Sequence, residues 1–285
     1  MSISLLSRLF LLPASLILLF GCNKPEWEDF QGGMHLVIEV ESKGNTSVDK
    51  NNTIKISNIL EERIRQLGMR HRIVKISGER QLIVQLPKVK NPSMVIDLVR
   101  RSFLLEFKLL DDKSPIAAQL PDTMLPENER KFLEQYADKI PETDEILFGK
   151  ILNKETGKIT KQVYLAKKPS LMTGEFLTDA RVNIDSRFDE PYISISFNST
   201  GAKLFENITA NNINRRLAII LDNNVHSAPV IRERIAGGNA QITGSFTMQE
   251  AKELAIVLKA GAYPAQTSIV ESRELTRELW LGKTI

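Results

Sequence analysis

Apolar residues recur along this chain with two periods, two and about 3.6 residues, and the switches between them mark out its elements. Met34 to Glu41 alternate as a strand, and Ile54, Ile56, Ile59, Leu60, Ile64 and Leu67 then follow at helical spacing up to a terminating Gly68. Arg72 to Ile76 and Gln81 to Leu86 flank the turn-rich Ser77-Gly78-Glu79-Arg80 and predict a hairpin. Asn91-Pro92 supplies an N-cap followed by a first-turn proline, and Val95, Leu98 and Val99 form the buried stripe of a second helix before a strand at Leu104 to Leu110. The order is βαββαβ, which predicts a ferredoxin-like split-βαβ base over residues 34–111.

The pattern weakens over residues 112–170, where Pro115, Pro121, Pro126, Pro141 and Pro169 stand among many acids. This stretch is expected to be an insertion, partly disordered, with a short helix near Glu127 to Tyr136 and a hairpin around Asn153 to Lys158.

A second α/β unit is expected over residues 171–265. Thr178 to Ile184 and Tyr192 to Phe197 make a hairpin, and Ala202, Phe205 and Ile208 build a one-sided helix capped by Ser199 or Thr200. From Arg216 to Gln266 the signals are densest: a strand at Leu217 to Leu221, a turn at Asp222-Asn223-Asn224, an apolar run from Val225 to Ile231, a glycine hinge at Gly237-Gly238, a third strand and a helix. Thr247 stands three residues before Glu250 in a capping box, Ala251, Leu254, Ala255 and Leu258 share one face, and Gly261 offers a left-handed C-cap. The strand at Thr267 to Val270 is expected to return and pair with the first domain, so that residues 266–285 are a returning strand and tail. The fold class is therefore α+β, a ferredoxin-like base plus a second α/β sandwich as a head.

Composition adds little to this. The chain has 285 residues, 42% hydrophobic and 26% charged, with a formal net charge of +3 mixed along its length, which leaves no electrostatic footprint for nucleic acid. The amino terminus is more informative. Arg8 precedes an apolar run from Leu9 to Gly21, too short to span a bilayer comfortably, so residues 1–22 have the layout of a secretory signal. Cys22, the only cysteine, excludes an internal disulfide, and its place after that run is similar to a bacterial lipoprotein processing site, with acyl chains anchoring the domain to a membrane. Asn23 in the next position favours the outer membrane; an uncleaved signal anchor is the alternative.

No constellation for catalysis or cofactor binding stands out. His35, His71 and His226 lack metal-ligand spacing, Asp179, Asp185 and Asp189 lack the spacing of a calcium loop, and Gly282-Lys283-Thr284 follows Arg277 where a phosphate loop needs its first glycine. No serine or cysteine has an identifiable base, so no enzyme, metal or cofactor is expected. What remains is apolar: Val225, Ala228, Val230 and Ile231 beside Gly237-Gly238 form a peptide-binding patch if exposed and a core strand if buried.

LAIILDNNVHSAPVI, the glycine pair, AQITGSFTMQEAKELA and KAGAYPA together resemble the periplasmic part of the SecD family, bacterial protein-export membrane proteins. FNSTGAKLFENIT resembles that family's lead-in to the same unit, and QGGMHLVIEV its first periplasmic strand. The resemblance implies a module on the outer face of the inner membrane that helps unfolded secretory proteins emerge, with a SecF-like protein and the translocon channel as partners and a movable head on the base. The family's proton path lies in membrane helices, which residues after 22 do not provide, and the family's GLDL-type lead-in is reduced here to Glu28-Asp29-Phe30. Two expectations follow: a SecD periplasmic module, or a free-standing envelope lipoprotein derived from one.

Overall fold

The structure, a computed structural model, describes residues 32–41, 50–100, 102–152, 156–244 and 246–280. The expected signal at residues 1–22, the anchoring Cys22, the Asn23 sorting signal and the Gly282-Lys283-Thr284 triplet lie outside the described residues.

In chain order, β1 (Gly33–Glu41) buries Leu36, Ile38 and Val40 on one face, as strict alternation requires. Helix α1 (Lys50–Gln66) buries Thr53, Ile56, Ser57, Leu60, Arg63 and Ile64, a stripe that admits three polar residues. The Thr53 hydroxyl donates to the Glu79 carbonyl at 2.7 Å, which explains one of them. The hairpin β2 (Ile73–Ser77) and β3 (Gln81–Pro87) turns at Gly78, where φ is +68°. Helix α2 (Pro92–Arg100) follows, with the Met94 amide donating to Asn91 Oδ1 at 3.2 Å and Val95, Leu98 and Val99 buried. Next come β4 (Leu105–Leu109), β5 (Thr123–Met124), α3 (Glu129–Tyr136), the long hairpin β6 (Asp144–Leu152) and β7 (Ile159–Lys167), and β8 (Met172–Thr173). The hairpin β9 (Leu177–Asp185) and β10 (Glu190–Phe197) leads into α4 (Ser199–Asn211), then β11 (Leu217–Leu221), β12 (Asn224–Ser227) and β13 (Asn239–Ile242). Helix α5 (Met248–Ala260), β14 (Gln266–Glu274) and the single turn α6 (Arg277–Trp280) complete the described chain.

These elements form a mixed α/β structure with three sheets. The first has the order β14-β1-β3-β2 and is antiparallel throughout. Its fourth place, beside β1, is held by β14, so the strand expected there at 104–110 is displaced. The returning strand instead completes the opening unit, and residues 34–111 do not close a sheet by themselves. Burial gives the reason. Leu105, Phe107 and Leu109 are buried in one core and Leu110 in another, a two-sided demand met only inside a sheet. β14 exposes Val270, Arg273 and Glu274 and packs Ile269 inward, as suits an edge. β4 accordingly joins a seven-stranded sheet of order β5-β7-β6-β12-β11-β4-β8, and the third sheet has the order β13-β10-β9.

Among the described residues of 112–170, structure takes the place of the expected disorder; the expected turn at Asn153 lies outside the described residues. β6 and β7 pair from Asp144↔Lys167 to Leu152↔Ile159, and Phe132 of α3 meets Phe148 with ring centroids 6.1 Å apart. Leu147, Tyr164 and Ala166 bury their face with Ala218, Ile220 and Val225, so the hairpin is held by a core that its proline-rich flanks conceal. The cap of α4 is also one residue earlier than Ser199: Asn198 is the N-cap, its side chain accepting from the Gly201 amide at 2.8 Å.

Helix α5 joins two cores. Ala251, Leu254, Ala255 and Leu258 enter the core of the three-stranded sheet, together with Ile193, Ile195 and Phe205. Val257 enters the core of the four-stranded sheet, with Tyr263 and Ala265 just beyond the helix. Its start carries the expected reciprocal cap: the Glu250 amide donates to Thr247 Oγ1 at 3.1 Å and the Thr247 amide to Glu250 Oε2 at 2.8 Å. Its end departs from the expectation, because Gly261 has φ +94° and ψ 169°, a glycine conformation outside the left-handed helical region.

Candidate functional site

The two cores meet at Arg63, an arginine on the buried stripe of α1 with 0% exposure. Its guanidinium donates to the carbonyls of Leu98 at 3.0 Å, Ser102 at 3.2 Å and Gly261 at 2.8 Å, and lies 4.0 Å from the ring centre of Tyr263 and 5.1 Å from that of Phe103. Leu98 is in the last turn of α2 and Gly261 caps α5, and carbonyls at helix C-termini lack intrahelical partners and carry the negative end of the helix dipole. One planar, five-donor group thus ties two helix ends and the segment between α2 and β4. Burial lowers the Arg63 pKa, while Tyr263 and Asp222 act against that shift.

Asp222 holds the same segment from the other side. Its Oδ1 accepts from the Ser102 hydroxyl at 2.9 Å and the Leu104 amide at 3.1 Å. Asp222 and Asn223 have φ +47° and +63°, the double left-handed turn that a tight β11–β12 hairpin needs. Glu41, Arg100, Ser102, Asp222, Asn223 and Thr267 line a polar cleft there.

The residues expected to bind peptide do not form one surface. Val225 is buried in the core of the seven-stranded sheet and Ile231 in that of the three-stranded sheet; Ala228 packs against the former, and only Val230 is exposed. The run is a strand with its extension, fixed by Leu217 N to Pro229 O at 2.9 Å and Ile231 N to Arg215 O at 2.9 Å, and Val225, Ala228 and Ile231 serve the cores. The expected hinge is likewise built in. Gly237 and Gly238 have φ +85° and +68°, the Gly238 carbonyl accepts from the Phe197 amide at 2.8 Å, and a Cβ on Gly238 would lie 2.5 Å from Ala202 Cβ.

A different surface suits an extended chain. The outward face of the three-stranded sheet is a groove lined by Asp179, Arg181, Ser194, Ser196, Ile235 and Asn239. Lys259 Nζ lies 3.1 Å from Asp179 Oδ1 and Arg181 Nε 2.6 Å from Oδ2; these two partners, Lys259 foremost, hold the Asp179 carboxyl below the usual range. Hydroxyl and amide groups beside a short edge strand, β13, can pair with peptide main chain without regard to sequence. Spacing could not reveal this face, because its polar residues alternate as any solvated strand face does.

The histidines stay apart. His35 is buried with its Nδ1 3.2 Å from Gln85 Nε2, and His226 stacks on Phe246 at 5.6 Å. Among the described residues no three His, Cys, Asp or Glu side chains gather as metal ligands, and no helix is long and apolar enough to cross a membrane.

Two family models match this arrangement in chain order. Residues 54–112 match the N-terminal P1 domain of protein translocase subunit SecDF, and residues 150–265 match the SecDF P1 head subdomain. The class is therefore a P1 region of a protein translocase subunit. SecD of Calditerrivibrio nitroreducens is 44% identical over 218 residues, covering 76% of this chain and 39% of the relative. SecD of Desulfurispirillum indicum is 38% identical over 214 residues, 75% of this chain and 39% of the relative. A solved structure of "a membrane component SecDF that enhances protein export" superposes with a TM-score of 0.61 at 29% identity, covering 84% of this chain and 99% of that one. The chain belongs to the SecD/SecDF family and spans 39% of the length of these two curated relatives.

Proposed function

We propose that this chain is a periplasmic SecD module that assists protein translocation across the inner membrane by holding emerging, unfolded preprotein. The observation that carries this reading is the pair of P1 matches, base-side and head, in order on one chain. The four-stranded sheet with α1 and α2 is then a ferredoxin-like base closed by its returning strand, and the units around α4 and α5 are the head. The groove on the β13-β10-β9 face is the place where preprotein main chain docks, in place of the Val225 to Ile231 run. A SecF-like protein and the translocon channel are the partners this role requires, and acylation of Cys22 is the proposed membrane anchor. The role needs no catalytic group. The free-standing lipoprotein alternative draws no support from the relatives, which are translocase subunits by name.

The test is site-specific photocrosslinking in cells of the source bacterium. A photoreactive amino acid at Ser194 or Gln241, on the groove face, should capture a secretory protein stalled during export, and one at Lys55 on the exposed face of α1 should not. Equal capture at all three positions, or none at any, would refute the groove as the docking site.

A further inference from the structure

Among the described residues the three sheets have six edge strands, and five of these are blunted. β13, β5 and β8 are only two to four residues long, β14 meets β1 with a register shift between Val37 and Ile38, and β2 carries the exposed Lys75. The sixth, β9, is nine residues long and pairs regularly with β10 from Asp179 to Asp185, with no strand on its other side. The polar pattern of this open edge is self-complementary. On one face β9 presents Arg181, Asn183 and Asp185, a cation, an amide and an anion at alternate positions.

A two-fold axis beside Asn183, perpendicular to the sheet, sets a second β9 antiparallel to the first. Arg181 then stands opposite Asp185 of the second copy, Asp185 opposite the second copy's Arg181, and Asn183 opposite its own equivalent. On the other face Val182 stands opposite Ile184, which is 52% exposed in the single chain. Neighbouring registers fail, because an axis at Arg181 sets that arginine against itself and one at Val182 sets Asp179 against Asp185. Opposite charges facing each other across strands stabilise a sheet and like charges destabilise it. The existing partners give way at little cost: Arg181 binds Asp179 and Asp185 binds Arg187, with both arginines more than three-quarters exposed, and such exposed pairs contribute little. The axis also keeps α5 of each copy on one side of the joined sheet, a closed arrangement in which both copies use the same patch. We infer that two copies of this chain associate through β9, joining their three-stranded sheets into one of six strands. The inference goes beyond the export reading and needs no part of it.

The test uses the full chain with Cys22→Ser and one new cysteine, oxidised with copper phenanthroline. Asn183→Cys should give a disulfide-linked dimer, because residues directly opposite have Cβ atoms about 4.5–5.5 Å apart. Arg181→Cys alone should not, since its equivalent lies about 13 Å away along the strand, but it should link to Asp185→Cys when the two proteins are mixed. On the Asn183→Cys background, Arg181→Asp should lower the dimer yield about tenfold, as two cross-strand pairs turn from attraction to repulsion, and adding Asp185→Arg should restore it. Should Asn183→Cys disturb the circular dichroism, the mixed pair decides. No dimer in either experiment, equal linkage with Arg181→Cys alone, or no recovery on exchanging the charges would each overturn the inference. So would preferential linkage of Asn183→Cys to an added unfolded, cysteine-bearing peptide.

Discussion

Arg63→Met keeps most of the side-chain volume and deletes every donor. The Leu98, Ser102 and Gly261 carbonyls, now 3.0, 3.2 and 2.8 Å from the guanidinium, would lose their charged partner in a buried place. Each buried group left unpaired costs about 1–3 kcal/mol, and stacking on Tyr263 adds about 1–2 kcal/mol. Against this, the desolvation of the cation, several kcal/mol, is relieved, and because only neutral carbonyls are left unpaired the net loss is about 3 kcal/mol. In a protein of this size 1 kcal/mol shifts the melting temperature by about 2–4 °C, so a 3 kcal/mol loss lowers it by about 6–12 °C. Arg63→Lys should recover only part, because one ammonium lacks the planar fork. The assay is differential scanning calorimetry. Because Arg63 joins two cores, the calorimetric enthalpy should exceed the van't Hoff enthalpy in Arg63→Met more than in the parent, the sign of cores melting apart. A melting temperature within about 2 °C of the parent, with an unchanged enthalpy ratio, would refute the role given to Arg63.

Two further outcomes follow from local geometry. Gly237→Ala meets no atom within 4 Å and should cost only the left-handed conformation, about 1 kcal/mol in urea unfolding, whereas Gly238→Ala also drives a Cβ to 2.5 Å from Ala202 and should cost about 2–4 kcal/mol; equal losses would contradict the close approach. Burial, with help from Arg273, holds the His35 pKa below its ordinary 6.5, so the unfolded chain takes up this proton at higher pH than the folded one; stability from this site is present above about pH 6.5 and lost as pH falls through that value towards the folded pKa. His35→Gln should therefore flatten the melting temperature between about pH 7 and about pH 5, and an unchanged slope would assign the acid sensitivity elsewhere.

The elements up to α2 were legible because each carries one clean period, and Gly68 and Asn91 mark helix ends that the structure keeps. Pairing was less so. The runs 104–110 and 267–270 are both short and apolar, and a strand's own alternation says which faces are buried but not which neighbour it takes. The decisive difference, burial of β4 on both faces against the half-exposed β14, depends on sheets that form far away in sequence. Val257 was missed on α5 because a single stripe was sought where two cores meet. Arg63 was missed because arginine on a helix is read as solvated, although its position, three after Leu60 and seven after Ile56, falls on the buried stripe. The run from Val225 to Ile231 read equally well as patch or core, and contacts with β6 and β11 decided for core. The groove left no trace in the sequence, being a polar face like any other.

The closing of the first sheet by β14 also sets the order in which the chain can assemble. β1 has β3 on one side as soon as residue 87 is made, but its other edge waits for residue 266. At about 5–20 residues per second, that edge stays unpaired for roughly 10–35 seconds of synthesis. An open strand bordered by apolar side chains is a template for pairing with other chains. The chain thus begins as a vulnerable nascent segment, dependent on late-made residues to seal its earliest strand.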